Sequence, residues 1–151
     1  MNRKQIEAFI EKVYPDEPVG IKYYRDTSPS AFSANCDIKN KVIYFNRYYL
    51  QRKSFRMCDN VWTKTLILHE LGHVAKGRYR SWAKAEFMAQ KWGIELADKL
   101  GLEHEMSEML TDLKDWAHIK WNDPNRFRRY RLAYRLALKD RKWAKKSGLI
   151  V

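Results

Sequence analysis

The sequence predicts an α+β fold, because its strand-like and helix-like patterns occupy separate parts of the chain. Three short runs rich in β-branched and aromatic residues fall between positions 19 and 45, and apolar residues recur at helical spacing before and after them. The 151 residues include only six Gly and four Pro, which favours helices joined by short turns over a turn-rich all-β fold. A hydrophobic content of 45% supports one sizeable core, so we predict a single domain over residues 1–151.

The N-terminal third is predicted to form one helix followed by a small antiparallel sheet. Asn2 can cap the helix, with Gln5 at the third helical position, and Pro15 stops it. Strands are predicted at residues 19–24, 31–36 and 41–45, because these runs carry strand-forming residues and turn formers separate them.

Two further helices are predicted after the sheet. The first begins at Asp59 or Asn60 and runs to about Lys76. It ends at Gly77, because glycine tolerates the left-handed conformation that often terminates a helix. Ser81 is the expected cap of the second helix.

The C-terminal part of the chain is predicted to form a basic helical hairpin over about residues 104–147. Gly101 closes the preceding helix. Asp123-Pro124 then opens the second helix of the hairpin, since proline is favoured in a first helical turn.

The most informative motif of the chain is the run His69-Glu70-Leu71-Gly72-His73. Residues four apart lie on the same helical face, so His69 and His73 can offer ring nitrogens to one Zn²⁺ ion. Glu70 lies beside them and can act as the catalytic general base toward a metal-activated water. The uncharged flanks, 65–68 and 74–75, are typical of a helix buried under a catalytic cleft. The alternative is a buried helix whose histidines satisfy core hydrogen bonds.

A catalytic zinc needs a third protein ligand, which must come from outside this motif. The metzincin arrangement would place Gly at position 76 and His at 79, but Lys76 and Tyr79 stand there. Glu86 is the best candidate, because it falls near the start of the next helix, which can face the motif helix across the metal. Glu95, Asp98 and His104 are rival donors, and the chemistry of zinc sites leaves them open.

Three segments together resemble gluzincin metallopeptidases, in particular ImmA/IrrE-like proteins. They are Ile43-Tyr44-Phe45-Asn46, the run 66–73 that contains the histidines, and Glu86-x-x-Ala89. The resemblance covers about residues 41–100. It implies a zincin-like core in which Glu86 is the third ligand beside His69 and His73, and in which Gln90 holds a position that steadies the site.

The motif and the resemblance predict a zinc-dependent metallopeptidase that acts on a protein or peptide substrate. Tyr79, Arg78, Arg80 and His118 are eligible by chemistry to stabilise the oxyanion that forms during hydrolysis. The run 41–46 is predicted to be an edge strand that could hold an extended peptide by main-chain pairing. A purely structural strand is the alternative.

Other features of the sequence predict where the protein is located and whether its cysteines are reduced. No apolar run approaches the about 18 residues that a membrane span requires, and the start Met-Asn-Arg-Lys lacks the apolar stretch of a signal peptide. We therefore expect a cytoplasmic protein with no membrane partner. Cys36 and Cys58 form no CxxC pair, which indicates reduced structural thiols.

The positive charge is concentrated in the last helix. Residues 124–151 hold ten Lys and Arg against the single Asp140, a net charge of +9 out of +12 for the whole chain. Helical spacing places six of these cations on one face, which could bind nucleic acid: Arg128, Arg131, Arg135, Lys139, Lys142 and Lys146. The alternative is that this face is solvated or pairs with an acidic row on the preceding helix: Glu105, Glu108, Asp112 and Asp115.

Overall fold

A computed structural model describes residues 1–29, 31–50, 60–118 and 124–151. The described residues form an α+β structure, as predicted, with seven helices and a three-stranded sheet. In chain order the elements are α1 (Arg3–Val13), β1 (Gly20–Tyr24), β2 (Ala34–Asp37), β3 (Val42–Asn46), α2 (Arg47–Leu50), α3 (Asn60–Lys76), α4 (Trp82–Lys99), α5 (Glu103–Asp115), α6 (Pro124–Lys139) and α7 (Arg141–Ser147). In the described ranges, no helix is both long enough and apolar enough to cross a membrane.

The predicted capping of α1 is confirmed. The Asn2 side chain accepts a hydrogen bond from the Gln5 backbone at 2.9 Å, and the Gln5 side chain accepts one from the Asn2 backbone at 2.8 Å. This reciprocal box satisfies two backbone donors that a helix start otherwise leaves free. The apolar stripe of α1 is buried, from Ile6 to Val13.

The sheet is mixed, so the prediction of a purely antiparallel sheet is wrong. The strand order is β1-β3-β2, in which β3 pairs antiparallel with β2 and parallel with β1. Because Ile43 and Phe45 are fully buried, β3 takes the central position. The chain leaves β1, crosses to the far edge to form β2, and returns through a tight turn, so β3 runs in the direction of β1.

This order also corrects the prediction of an edge strand at 41–46. Both sides of β3 are paired, and β2 is an edge strand of the sheet. The β2 strand contacts α3, the helix that carries the histidine motif. Main-chain groups that could pair with a peptide therefore belong to the edge strands, β1 and β2, and not to β3.

The α3 and α4 helices form the centre of the molecule. Gly77, with φ 75°, follows the end of α3, and Gly101, with φ 70°, follows α4, so both predicted glycine terminators are confirmed. The Ser81 side chain caps α4 by accepting from the Lys84 backbone at 3.2 Å. The predicted cap Asp59 lies outside the described residues.

Gly72 permits the close approach of α3 and α4. A Cβ atom at this position would lie 2.3 Å from the Ala89 carbonyl oxygen and 2.7 Å from its Cα. Because those are backbone atoms of the facing helix, no side-chain rearrangement could make room.

The predicted C-terminal hairpin is replaced by three helices. The α5 helix packs on α3 and α4, and α6 packs mainly on α4. The helix predicted to begin at Asp123-Pro124 is interrupted at Asp140, between α6 and α7. The Asp140 side chain caps α7 by accepting a hydrogen bond from the Trp143 backbone at 3.4 Å. It also forms an ion pair with Lys91 of α4 at 3.1 Å. The basic row is therefore divided, with Lys142 and Lys146 on α7 and not on α6.

Gly72→Ala is expected to lower the free energy of unfolding by about 1–3 kcal/mol, because the added methyl overlaps the α4 backbone. Urea unfolding followed by circular dichroism measures this change. Gly20→Ala is the matched control: its Cβ would meet mainly the Val42 side chain, at 3.3 Å, and should change stability by less than about 1 kcal/mol. Wild-type stability of Gly72→Ala would contradict the close packing described here.

Candidate metal centre

Three predicted ligands converge between α3 and α4. The Nε2 atom of His69 lies 2.9 Å from Glu86 Oε2, and the Nε2 atom of His73 lies 3.2 Å from Glu86 Oε1. The two Nε2 atoms are 3.2 Å apart. These residues form a group whose ligand atoms all lie within 4.8 Å of one another and that could hold a metal ion.

The spacing of the three donors fits a tetrahedral ion. Zinc bonds of about 2.0–2.1 Å at tetrahedral angles place neighbouring donor atoms about 3.3 Å apart. Glu86 is only 7% exposed, and both of its carboxylate oxygens face histidine nitrogens. A buried carboxylate is costly unless a positive charge compensates it, and a cation between the donors would do so.

Gln90 orients His69 from behind. The Nδ1 atom of His69 lies 2.7 Å from Gln90 Oε1, and Gln90 Nε2 donates to the Met109 carbonyl of α5 at 2.8 Å. A bond from Nδ1–H to the amide oxygen leaves Nε2 directed toward the other two donors, which is the tautomer that a metal ligand requires. Gln90 is buried, so this support is fixed.

The charges of the centre depend on one another. Burial alone would lower the pKa of His69, but the Glu86 carboxylate, a hydrogen bond to it and Glu70 raise that pKa to about 9. Burial alone would raise the pKa of Glu86, but the two imidazoles lower it to about 2. Without a metal, Glu86 is therefore ionised and His69 is protonated at neutral pH.

Glu70 is buried next to this group. Burial raises the pKa of its carboxyl group, while the charges of His69 and His73 act against that rise. The side chain lines a cleft of about 590 Å³ together with the three metal-ligand candidates. A carboxylate with a raised pKa at such a place is suited to accept a proton.

Residues of the sheet and of four helices line the cleft. Its lining includes Ala34, Asn35 and Cys36 of β2, Thr65 and Leu66 of α3, Trp82 and Ala85 of α4, Asp112 and Asp115 of α5 with Trp116 after it, and Tyr130 of α6. Burial, with a smaller contribution from nearby carboxylates, raises the pKa of the Cys36 thiol to about 12, so this free cysteine stays protonated. Cys58 lies outside the described residues.

The rival ligands lie elsewhere. Glu95 is exposed and forms an ion pair with Lys91 at 3.9 Å, whereas His104 is exposed near the start of α5. Neither of them, nor the third rival Asp98, which is exposed on α4, belongs to the group of donor atoms around Glu86. Within the described residues, the structure therefore brings Glu86, and not Glu95 or His104, to the two histidines.

The four residues proposed for the oxyanion do not line the cleft. Arg78, Arg80 and His118 are exposed, and the ring of Tyr79 contacts Lys84, whose Nζ lies 5.7 Å from its centroid. Sequence reasoning missed a tyrosine that does line it.

Tyr130 is the missed residue. Its ring is buried between Trp82 and Trp116, with both ring centroids 4.9 Å away, and the Trp116 ring in turn contacts His69 at 6.2 Å. Burial, and to a smaller extent the negative charge of Glu86, raises the pKa of the Tyr130 hydroxyl well above its usual value. The hydroxyl therefore keeps its proton. The inward spacing of Tyr130, Ala133 and Ala137 along α6 was the signal that could have identified it.

Comparison of the chain with known proteins finds no match among family models, curated proteins or solved structures. The resemblance to ImmA/IrrE-like gluzincins, and the zincin-like core that it implies, therefore stay predictions.

Zinc binding to the metal-free protein is expected to strengthen about tenfold per pH unit between about pH 7 and 9, because each ion displaces one proton from the site. The pKa of His69 is about 9, above its ordinary value of 6.5, so the ring is protonated over this range and zinc competes with the proton. Above about pH 9 the gain should level off. Competition with a chromophoric chelator measures the affinity, and a flat profile between these pH values would contradict the charge assignment.

Proposed function

We propose that the protein is a zinc-dependent metallopeptidase that hydrolyses peptide bonds. The observation that carries this proposal is the convergence of His69, His73 and Glu86 in one cleft, with Glu70 directly beside them. Two imidazoles and a carboxylate are a ligand set that leaves a fourth zinc position open for catalysis.

Each residue of the site has a distinct task. Zinc, when bound, acts as a Lewis acid and lowers the pKa of a water molecule to about 7. Glu70 accepts the proton of the attacking water and returns it to the nitrogen of the leaving amine. The buried position of Glu70 supports this role. Burial raises the pKa of its carboxyl group, and a carboxylate with a raised pKa is a better acceptor for the proton of the water.

Tyr130 is the best candidate for stabilising the oxyanion. It lines the cleft with Glu70 and keeps its proton, so its hydroxyl can donate a hydrogen bond to the developing negative charge. The flanking rings of Trp82 and Trp116 hold its orientation. A fixed donor costs little reorganisation during the reaction.

Glu70→Gln is expected to retain zinc but to lose peptide hydrolysis by about 10²–10⁴-fold, because the amide cannot accept the proton. His73→Ala should lose both zinc and hydrolysis. Zinc content is measured by elemental analysis, and hydrolysis with a mixture of internally quenched peptides incubated with the zinc-loaded protein. Wild-type turnover by Glu70→Gln would remove the proposed mechanism.

A second candidate function is nucleic-acid binding by the exposed basic face of α6, which consists of Arg128, Arg131, Arg135 and Lys139. The opposite side of α6, with Tyr130, is buried. One acid of the α5 row, Glu105, pairs with Lys64 of α3 at 3.7 Å, and Asp112 and Asp115 line the cleft. The exposure of these four side chains supports an outward-facing basic surface, which could be extended by Lys142 of α7.

The triple variant Arg128→Gln, Arg135→Gln, Lys139→Gln is expected to weaken binding to a labelled DNA duplex and to reduce the salt slope by about 3, one unit per lost phosphate contact. Fluorescence anisotropy between about 50 and 200 mM salt measures both quantities. The control removes three exposed lysines from other elements: Lys4, Lys12 and Lys99. Equal effects of the two triple variants, or salt-insensitive binding by the wild type, would exclude the basic face.

A further inference from the structure

Asn46, the last residue of β3, makes all the hydrogen bonds that a side-chain amide allows. Its Oδ1 atom accepts from the backbone N–H groups of Asp26 and Tyr48, both at 3.2 Å. Its Nδ2 atom donates to the carbonyl oxygens of Asp26 at 2.8 Å and of Phe32 at 3.1 Å. Two donated and two accepted bonds fill the capacity of an amide group. Asn46 is fully buried, so these bonds are shielded from solvent.

These bonds help to fix the segment that leads into β2. The backbone N–H of Asn46 donates to the Ser33 carbonyl at 2.8 Å, next to the bond from the side chain to Phe32. The Tyr24 hydroxyl of β1 donates to the same Phe32 carbonyl at 2.6 Å. Three hydrogen bonds, from β1 and β3, therefore hold two consecutive carbonyl groups in place.

The segment held in this way is a wall of the cleft that contains the metal centre. Residues 31–33 line the cleft together with Glu70 and Glu86. Asn46 itself does not line it. Any effect of Asn46 on a molecule in the cleft must therefore pass through the residues that it holds.

Phe32 is the large side chain of this wall. Its ring is 42% exposed, whereas most large apolar side chains of the described residues are covered. The guanidinium of Arg126 stacks on the ring, 3.3 Å from its centroid. The ring is thus held by this stack, and its main chain by hydrogen bonds, although the side chain is open to solvent. A side chain that is ordered before binding loses little entropy when a ligand covers it.

Phe32 adjoins the part of the cleft that carries the chemistry. Arg126 lies four residues before Tyr130 on α6, so the two side chains share one helical face. The Trp82 ring contacts Tyr130 and also lines the cleft. An apolar group that entered beside these rings would lose contact with water, which is favourable.

We propose that the Phe32 ring contacts an apolar side chain of the peptide substrate and that Asn46 is the positioning residue for this contact. The inference rests on the proposed peptidase function and specifies a substrate preference of the same cleft. Asn46 does not touch the substrate. It holds the main chain of Phe32, so that the ring faces the cleft before the substrate arrives.

The test is a double-mutant cycle of Asn46→Ala, Phe32→Ala and the combined variant, all loaded with zinc. The probes are two internally quenched, acetylated peptides of equal length, one with a central Phe and one with a central Ser. Phe32→Ala should raise KM for the Phe peptide about tenfold and leave kcat and zinc content near wild type, because binding is lost and chemistry is not. Asn46→Ala should raise the same KM about three- to tenfold.

The cycle separates positioning from a merely structural role. If Asn46 acts through the ring, Asn46→Ala should have little further effect on KM once Phe32 is alanine. Effects of the two substitutions that simply multiply would overturn the positioning role. A wild type that cleaves both peptides equally well would overturn the contact with Phe32 and leave the peptidase function standing.

Two control variants match the test substitutions. Leu100→Ala removes an apolar side chain of similar exposure, 40%, that does not line the cleft. Asn40→Ala removes an amide that donates to Asp37 at 2.7 Å in the turn between β2 and β3. Both should keep the wild-type KM for the Phe peptide.

Tyr24→Phe replaces Asn46→Ala in the cycle if the latter does not fold. It removes one donor to the Phe32 carbonyl and should raise KM about threefold, but only while Phe32 is present. An unchanged KM would overturn the claim that the held carbonyl positions the ring.

A binding measurement separates this inference from the peptidase function if neither peptide is cleaved. Zinc-loaded Glu70→Gln protein is titrated with fluorescently labelled versions of the two peptides. Binding of the Phe peptide that is about tenfold tighter, and that depends on Phe32 and Asn46, would support the contact while the peptidase function fails. Equal binding of both peptides would overturn the contact as well.

Discussion

The close contact between α3 and α4 at Gly72 is the constraint on which the rest of the structure depends. Because the Ala89 backbone occupies the space of a missing side chain, the two helices approach closely. Within the same contact, Glu86 of α4 faces His69 and His73 of α3. A larger residue between the two histidines would separate the donors that the proposed function needs.

This contact also explains how several ionisable groups can be buried at once. Glu70 and Glu86 are almost inaccessible to solvent, and charges in such surroundings are costly unless they are compensated. In the metal-free centre the compensation is a protonated His69 beside an ionised Glu86. A divalent cation would compensate the same carboxylates from the position between the three donors, so the polar core is suited to hold one.

Local rules were sufficient for the caps and ends of several helices and for the grouping of the three candidate metal ligands. Ser81, Gly77 and Gly101 act through backbone conformation and neighbouring hydrogen bonds, and helical spacing alone aligns His69 with His73, so these features could be predicted. Glu86 followed from the short turn between the helices. The parallel pairing of β1 with β3, the edge position of β2 and the break at Asp140 depend on contacts between distant segments, which no local pattern encodes.

The central claim is that His69, His73 and Glu86 jointly bind one zinc ion, and diffraction at the zinc absorption edge from crystals grown with zinc tests it most directly. We expect one strong anomalous peak, about 2.0–2.2 Å from the Nε2 atoms of both histidines and from a carboxylate oxygen of Glu86, with a fourth position open to solvent. No peak between these residues, or a peak held by Glu95 or His104 in place of Glu86, would contradict the account.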